Sequence, residues 1–417
     1  MADETGRPEW LAIATNCKSI EAPMSMPNTG ENIQISFDPT DAISLRDALA
    51  RIAEDRRPSL ISAAVKSMAS DLAGINAVSA LAAFDPKSFV TGLAVALREN
   101  PANLTAGRSL IWFCIRQGLF KEAVGISQQL GAHWEDHFEL FVERLRILIV
   151  EGSGRADDYV KHNSRYFLKK ENKESYILQS AVASGTYNGP RIQEKFSALG
   201  RSARADMIAA EVGYSGAERR MFSKFCSLID TANSIALVGN APTLRGSKLG
   251  KTIDDHDLVI RCNFPVVNEF YNDVGSRTDI MFFHESIRGQ IPELVERSNR
   301  YLDCIMMGLH PDKDFVIDVD TRVVGHEYAS TLPAETRQFL TDICYARSTT
   351  GLMGILLLCI VFSKKVAIFG FNFFSSSSSP HYFSENTGVY LGHEIQYEKW
   401  YVEKFLPVVL PNNVIFY

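Results

Sequence analysis

The chain has 417 residues, of which 46% are hydrophobic and 22% charged, an ordinary globular balance with room for two or three domains. Its formal net charge of −6 argues against nucleic acid as the main partner. The longest apolar run, Leu352–Phe362, is far shorter than the roughly 20 residues of a membrane span. We therefore expect no transmembrane segment, and the N-terminus does not resemble a signal peptide.

The seven cysteines stand singly, with neither a C-x-x-C pair nor a metal-ligand spacing. An odd number of isolated cysteines is typical of a reducing compartment. We expect a cytoplasmic protein, at most peripheral to the inner membrane, without an intrachain disulfide.

The chain begins with residues 1–40, which lack a clear period and predict a loosely ordered lead-in. From 41 to 232 the pattern is helical, with a plausible cap at Ser44–Asp47. Apolar residues at helical spacing between Phe138 and Ile149 indicate one amphipathic helix. Another ends before Gly118. Short helices joined by glycine turns favour helical hairpins, either degenerate repeats that bind a protein partner or a simple helical cap.

From residue 233 to 417, strand-like segments alternate with helical ones. This alternation predicts an α/β domain in which helices flank a mostly parallel, Rossmann-like sheet. The strands are expected at Ser234–Val238, Asp257–Arg261, Thr278–Phe283, Cys304–Met307, Lys365–Phe369 and Val414–Tyr417.

Two of these strands are followed closely by an asparagine. The first runs into Gly239-Asn240, and the second is followed by Cys262-Asn263. Ligands of open α/β sheets bind at the carboxyl ends of strands, and amide groups both donate and accept hydrogen bonds. Asn240 and Asn263 therefore predict a nucleotide-type site. A dinucleotide site is the alternative, but the turn lacks the G-x-G-x-x-G spacing.

Hydroxyl residues precede the apolar run at 352–362. Thr349, Thr350 and Gly351 are typical of a helix start, whose N–H groups suit a phosphate or carboxylate. Capping of a buried helix is the simpler alternative.

Two histidines follow a tract of five serines, Ser375–Ser379, which predicts a mobile loop. His381 directly follows Pro380, and His393 begins an H-x4-E pattern with Glu398. This spacing does not bring Glu398 onto the His393 face of a straight helix. We expect Glu398 to cap or pin local structure instead.

Taken in chain order, these stretches resemble the large, small, third and very small motifs of the eukaryotic-type sialyltransferases, glycosyltransferase family 29. The large motif is carried by V-G-N, L-R-G, I-D-D-H-D-L-V-I-R-C-N and D-V-G-S-R-T. The small motif is carried by S-T-T-G, an apolar helix and a strand ending in G-F. The third and very small motifs are carried by H-Y-F and H-x4-E.

The resemblance implies an inverting glycosyltransferase with a GT-A-like variant of the Rossmann sheet. It would move a sialic acid from a CMP-sugar to a hydroxyl of a glycan acceptor, without a metal cofactor. His393 would be the general base, and Asn240 and Asn263 would hold the nucleotide. The donor phosphate or sugar carboxylate would be held by His381, Thr349, Thr350 and Gly351.

Two departures from the family pattern are informative. Secretory members join the large and small motifs by a disulfide, whereas Ile235 and Ser363 stand at those positions here. Asn372 replaces the second glycine of the family's G-F-G. The paired loss of both cysteines is what a cytosolic relative requires, and favours a microbial enzyme of surface polysaccharide synthesis.

Three alternatives stay open at this point. The donor could be CMP-Kdo, another CMP-linked ulosonic acid. The protein could be a metal-dependent nucleotide-sugar transferase that uses a D-x-D pair, Asp318 with Asp320 or Asp312 with Asp314. It could also be a helical-repeat scaffold carrying an inactive transferase fold.

Overall fold

The computed structural model describes residues 54–67, 85–116, 119–133, 138–152, 154–162, 173–214, 216–263, 265–283, 304–309, 329–344, 348–373, 382 and 395–417. The predicted lead-in at 1–40 and the predicted cap at 44–47 lie outside these residues. Contacts divide the chain into two units, Met1–Ser153 with Thr387–Gln396, and Gly154–Asn386 with Tyr397–Tyr417. The predicted domain boundary at 232 stays a prediction.

The first unit is helical in its described part. Its helices are α1 (Arg57–Ser67), α2 (Pro86–Glu99), α3 (Leu104–Arg116), α4 (Phe120–His133) and α5 (Phe138–Glu151). Asp85 starts α2, because its side chain accepts the N–H of Ser88 at 3.0 Å while Pro86 takes the first helical position. Buried residues of α1 to α5 form one apolar cluster. The predicted helices are confirmed, and the repeat interpretation stays a prediction.

The second unit begins with four helices and then alternates strands with helices. The leading helices are α6 (Arg155–His162), α7 (Lys173–Ala183), α8 (Gly189–Ala210) and α9 (Gly216–Thr231). The strands are β1 (Ile235–Val238), β2 (Leu258–Cys262), β3 (Ile280–Phe283), β4 (Ile305–Gly308), β5 (Ala329–Thr331), β6 (Val366–Phe369) and β7 (Val414–Phe416). The later helices are α10 (Gly250–Asp254), α11 (Tyr271–Val274), α12 (Ala334–Cys344), α13 (Thr350–Leu356), α14 (Ile395–Trp400) and α15 (Leu406–Val409). Helical turns of π type continue α13 through Leu357–Val361 and join α14 to α15 through Tyr401–Phe405.

The seven strands form one sheet in the order β5-β4-β3-β2-β1-β6-β7, and every pairing is parallel. The predicted α/β fold and all six predicted strands are confirmed. Strand β5 was not predicted. Strands β1, β2, β3 and β6 are buried along their whole length, as expected for a sheet covered on both faces.

Alternate residues of β1 pack on opposite layers. Ala236 and Val238 belong to an apolar cluster with Phe369 and Tyr382. On the other face, a Cβ added at Gly354 of α13 would lie 2.9 Å from the Phe282 ring and 3.6 Å from Leu237. Helix α13 therefore lies directly on the centre of the sheet, next to the strand ends that carry the predicted site.

None of the described helices is both long enough and apolar enough to cross a membrane.

A glycine allows α8 to pack closely on the π-helical turn that follows α13. A Cβ at Gly200 would lie 2.4 Å from the backbone oxygen of Ile360. Alanine normally stabilises a helix relative to glycine, but here it meets backbone that cannot rotate away. We expect Gly200→Ala to lower the free energy of unfolding by about 1–3 kcal/mol, measured by urea denaturation.

The matched control is Gly189→Ala in the same helix, where an added Cβ meets nothing within 4 Å. It should change stability by less than about 0.5 kcal/mol. Unchanged or increased stability of Gly200→Ala would contradict the close packing.

Candidate functional site

The candidate site lies where the strand order reverses, between β1 and its neighbour β6. Gly239 N–H donates to Phe369 O at 2.8 Å, and Ala241 N–H donates to Gly370 O at 3.0 Å. A Cβ at Gly239 would lie 2.5 Å from Gly370 O, and Gly370 itself has φ +68°. Ligands of open α/β sheets bind at such a reversal. The two glycines let the strand ends meet there with almost no side-chain bulk between them.

Asn240 follows this glycine and is only partly satisfied. Its Nδ2 donates to Cys262 O at 2.9 Å, which ties the end of β1 to the end of β2. Its Oδ1 is buried and accepts no hydrogen bond from the described residues. A buried acceptor without a donor costs about 1–3 kcal/mol, so this oxygen is suited to a ligand that brings its own donor.

Asn263 lies beside this asparagine, next in the chain to Cys262. Its φ of +56° is a left-handed conformation that asparagine tolerates better than most residues. Its N–H donates to Phe282 O at 2.6 Å, and its Oδ1 accepts from Thr350 Oγ1 at 3.3 Å. The structure thus brings Asn240, Asn263 and Thr350 together at one edge of the sheet.

Gly351 is pressed against an aromatic ring from the β6 end. A Cβ at Gly351 would lie 2.3 Å from Cε1 of Phe371, whose ring also lies near Gly239. The start of α13 and the carboxyl ends of β1 and β6 therefore converge, whereas the donor-binding roles of Gly351 and Asn240 stay predictions.

Thr349 is held by a buried carboxylate. Glu398, 1% exposed, accepts the N–H of Thr349 through Oε1 at 2.8 Å and its hydroxyl through Oε2 at 2.7 Å. Thr349 Oγ1 in turn accepts the N–H of Leu352 at 3.1 Å, which makes it the N-cap of α13. The predicted cap and the predicted pinning role of Glu398 are confirmed. The donor-binding role of Thr349 stays a prediction, and these contacts occupy both its N–H and its hydroxyl.

Other predicted residues lie outside the described part of the chain. These are His381, His393 and the D-x-D pairs at 312–314 and 318–320. Among the described residues, no group of three His, Cys, Asp or Glu side chains could hold a metal ion.

Tyr382 is a site residue that the sequence did not reveal. It is 2% exposed, its N–H donates to Asn240 O at 3.0 Å, and its hydroxyl donates to Val266 O at 2.9 Å. Its ring packs edge-on against Phe270 at 5.2 Å between centroids. The only available signal was its position after His381 in the H-Y-F segment.

Three charged residues between β1 and β3 form hydrogen bonds that hold this part of the fold together. Asp254 accepts the N–H groups of Ser276 and Arg277. Arg277 returns hydrogen bonds to the backbone oxygens of Asp254, His256 and Asp257. The fully buried guanidinium of Arg261 donates to Val274 O at 2.7 Å and to Arg277 O at 2.8 Å. These contacts bind the 274–278 loop to β2.

The described cysteines are free, and most are buried. Burial raises the pKa of Cys262, next to the candidate site, to about 12. A thiol with so high a pKa is protonated at neutral pH and therefore a poor nucleophile. We assign Cys262 a packing role.

Comparison with known proteins identifies the segment that contains Asn240 and Asn263. Residues 228–317 match the family model of glycosyltransferase family 29 (sialyltransferase). This segment is sialyltransferase-like. The match confirms the resemblance read from the large motif. The small, third and very small motifs lie beyond it.

Among curated proteins, a 66-residue stretch is 39% identical to a CMP-N-acetylneuraminate-beta-1,4-galactoside alpha-2,3-sialyltransferase of Mus musculus. That stretch covers 16% of this chain and 18% of the mouse protein. Two crystal structures of a mammalian sialyltransferase, one with Gal-beta-1-3GalNAc-ortho-nitrophenol, are 22% identical at a TM-score of 0.33. They cover 45% of this chain and 69% and 70% of theirs.

Asp257 of the sialyltransferase segment gives a pH-dependent prediction. Its Oδ2 accepts the N–H groups of Asn233 and Ser234, and these backbone hydrogen bonds lower the pKa of the carboxyl. A lowered folded-state pKa stabilises the fold above the unfolded value of about 3.9, and this contribution is lost as pH falls through the folded value.

We therefore expect wild type to exceed Asp257→Asn in stability by a constant margin between about pH 5 and 8. The margin should shrink below about pH 4, as urea midpoints across pH would record. Asp255→Asn is the control, since its exposed pair with Lys251 should contribute less than about 1 kcal/mol. A margin independent of pH would contradict the assigned hydrogen bonds.

Proposed function

We propose that this protein transfers a sialic acid or a related ulosonic acid from a CMP-sugar to a hydroxyl of a glycan, with inversion at the transferred carbon. The observation that carries the proposal is the buried Oδ1 of Asn240 within the sialyltransferase-like segment, which accepts no hydrogen bond from any residue that the structure describes. It lies at the strand-order reversal, beside the Asn263–Thr350 pair.

The chemistry of a cytidine monophosphate suits these groups. Its hydroxyl and amino groups supply the donors that an unpaired amide oxygen requires. Its phosphate is a monoester when the sugar leaves, so the charge can be met by N–H groups at a helix start. Thr350 and Gly351 begin α13, and they are our candidates for that contact.

The acceptor hydroxyl must lose a proton as it attacks the anomeric carbon of the donor. A histidine that titrates near neutrality suits this step. From the family resemblance we assign it to His393, and we assign His381 to the phosphate or sugar carboxylate. No metal is required in this scheme.

In the deciding experiment, purified protein is incubated with CMP-Neu5Ac or CMP-Kdo and with a panel of β-galactoside-terminated and other glycans. Mass spectrometry should detect an acceptor heavier by one ulosonic acid, in equal yield with EDTA. Transfer only from CMP-Kdo would identify that donor instead. Loss of transfer in EDTA would favour a metal-dependent mechanism. CMP binding without transfer to any acceptor would favour an inactive transferase fold.

The donor site is tested by Asn240→Ala. Removing the acceptor should weaken CMP binding by about 1–3 kcal/mol in calorimetry. Asn233→Ala is the matched control, because this exposed asparagine precedes β1 at its opposite end. At Asn263 both Asn263→Ala and Asn263→Gly should be measured. Alanine at φ +56° also strains the backbone, whereas glycine removes the side chain without that strain. Unchanged CMP affinity in both asparagine positions would refute the proposed nucleotide contacts.

The base is tested by His393→Ala. Turnover should fall roughly 10²–10⁴-fold, the usual effect of removing a general base. CMP affinity should persist, because proton removal contributes mainly in the transition state. His162→Ala, at an exposed position on α6, is the control. Near-normal turnover of His393→Ala would mean that another group takes the proton.

A further inference from the structure

Helix α7 lies outside the segment matched by the family model, yet its Gln179 side chain is a buried amide within the second unit, which contains the sheet. Gln179 is 0% exposed. Its Nε2 donates to Ile343 O at 2.8 Å and to Ser175 Oγ at 3.1 Å. Its Oε1 accepts the hydroxyl of Tyr397. One side chain therefore joins α7 to the end of α12 and to α14.

Helix α14 carries this contact to the candidate site. Tyr397 and Glu398 are consecutive residues, 2% and 1% exposed, whose side chains leave the helix about 100° apart. Tyr397 is bound by Gln179, whereas Glu398 binds the N–H and hydroxyl of Thr349. The rotation of α14 about its axis is thus constrained by α7, and the same rotation determines where the Glu398 carboxylate lies.

From Thr349 the contacts continue to the proposed nucleotide groups. The next residue, Thr350, donates to Asn263 Oδ1. Asn263 follows Cys262, whose oxygen accepts from Asn240 Nδ2. Buried and partly buried hydrogen bonds, together with consecutive residues, therefore connect Gln179 with Asn240.

We propose that Gln179 and Tyr397 are positioning residues that set the affinity for the donor nucleotide, through Glu398 and Thr349. This inference rests on the proposed function. Loss of the Tyr397 hydroxyl removes the donor to Gln179 Oε1, which is costly in the protein interior. A small rotation of α14 would reduce this cost. That rotation shifts Glu398 and, through Thr349, the Thr350–Asn263 contact.

The decisive variant is Tyr397→Phe, which deletes one hydroxyl and keeps the ring contacts with Trp400 and Tyr401. Its matched control is Tyr214→Phe. The Tyr214 hydroxyl likewise donates one hydrogen bond, here to the backbone oxygen of Thr331 at 2.7 Å, on β5 at the far edge of the sheet. Both variants should lower the melting temperature, Tyr397→Phe by more, because its contact with Gln179 is buried whereas the Tyr214 contact is partly buried.

Only Tyr397→Phe should raise the dissociation constant for CMP, by about 2- to 30-fold, with an equal rise in KM for the CMP-sugar and little change in kcat. Gln179→Leu should act in the same direction. The double variant should lose less affinity than the sum of the two single losses, since both break one contact.

CMP affinity equal to wild type in Tyr397→Phe and Gln179→Leu, with only stability reduced, would overturn the inference. An equal loss of affinity in Tyr214→Phe would also overturn it, because the effect would then be general. If wild type itself fails to bind CMP, the proposed function fails and the inference falls with it, an outcome that needs no variant to recognise.

Discussion

The close approach of β1 and β6 at their carboxyl ends is the constraint on which the rest of the sheet unit depends. The two strands are neighbours in the sheet although Val238 and Val366 are far apart in the chain, and Gly239 and Gly370 allow the backbones to meet beyond them. Because every strand pairing is parallel, the carboxyl ends of the strands, with the turns that follow them, lie at the same edge of the sheet. Asn240 lies at this reversal of strand order, where ligands of open α/β sheets bind.

At this edge of the sheet, some polar groups form hydrogen bonds that hold the fold together, whereas one acceptor is left available to a ligand. Asp254, Arg277 and Arg261 are charged residues of the sialyltransferase-like segment, and their hydrogen bonds hold the 274–278 loop against β2. Buried charge is tolerated only when it is compensated in this way. The Oδ1 of Asn240 is a buried, uncharged acceptor that accepts no hydrogen bond from the described residues.

The buried Glu398 of the H-x4-E pattern contacts another residue of the predicted site, Thr349. Its carboxylate contacts backbone and hydroxyl of Thr349, which caps α13, the helix that packs on the centre of the sheet. Gln179 of α7 holds the neighbouring Tyr397. A helix that precedes the sheet is therefore linked by hydrogen bonds to the start of α13, although the family match begins only at residue 228.

The sequence alone determined most of the sheet, because β1, β2, β3 and β6 are short apolar runs that need no partner to be recognised as buried strands. It also determined the α13 cap, since a cap is a local contact between Thr349 and Leu352. Strand β5 escaped notice because Ala329–Thr331 is three residues long and weakly apolar.

Tertiary structure alone decided the pairings that give the site its shape. Glu398 and Thr349 are 49 positions apart, and Tyr397 and Gln179 are 218 apart. No local pattern encodes such a pairing, because hydrogen-bond partners at long range are selected by the packing of whole helices. The same holds for the Oδ1 of Asn240. Its amide type is visible in the sequence, but only the packing of β1, β2 and Tyr382 buries it without a donor from the described part of the chain.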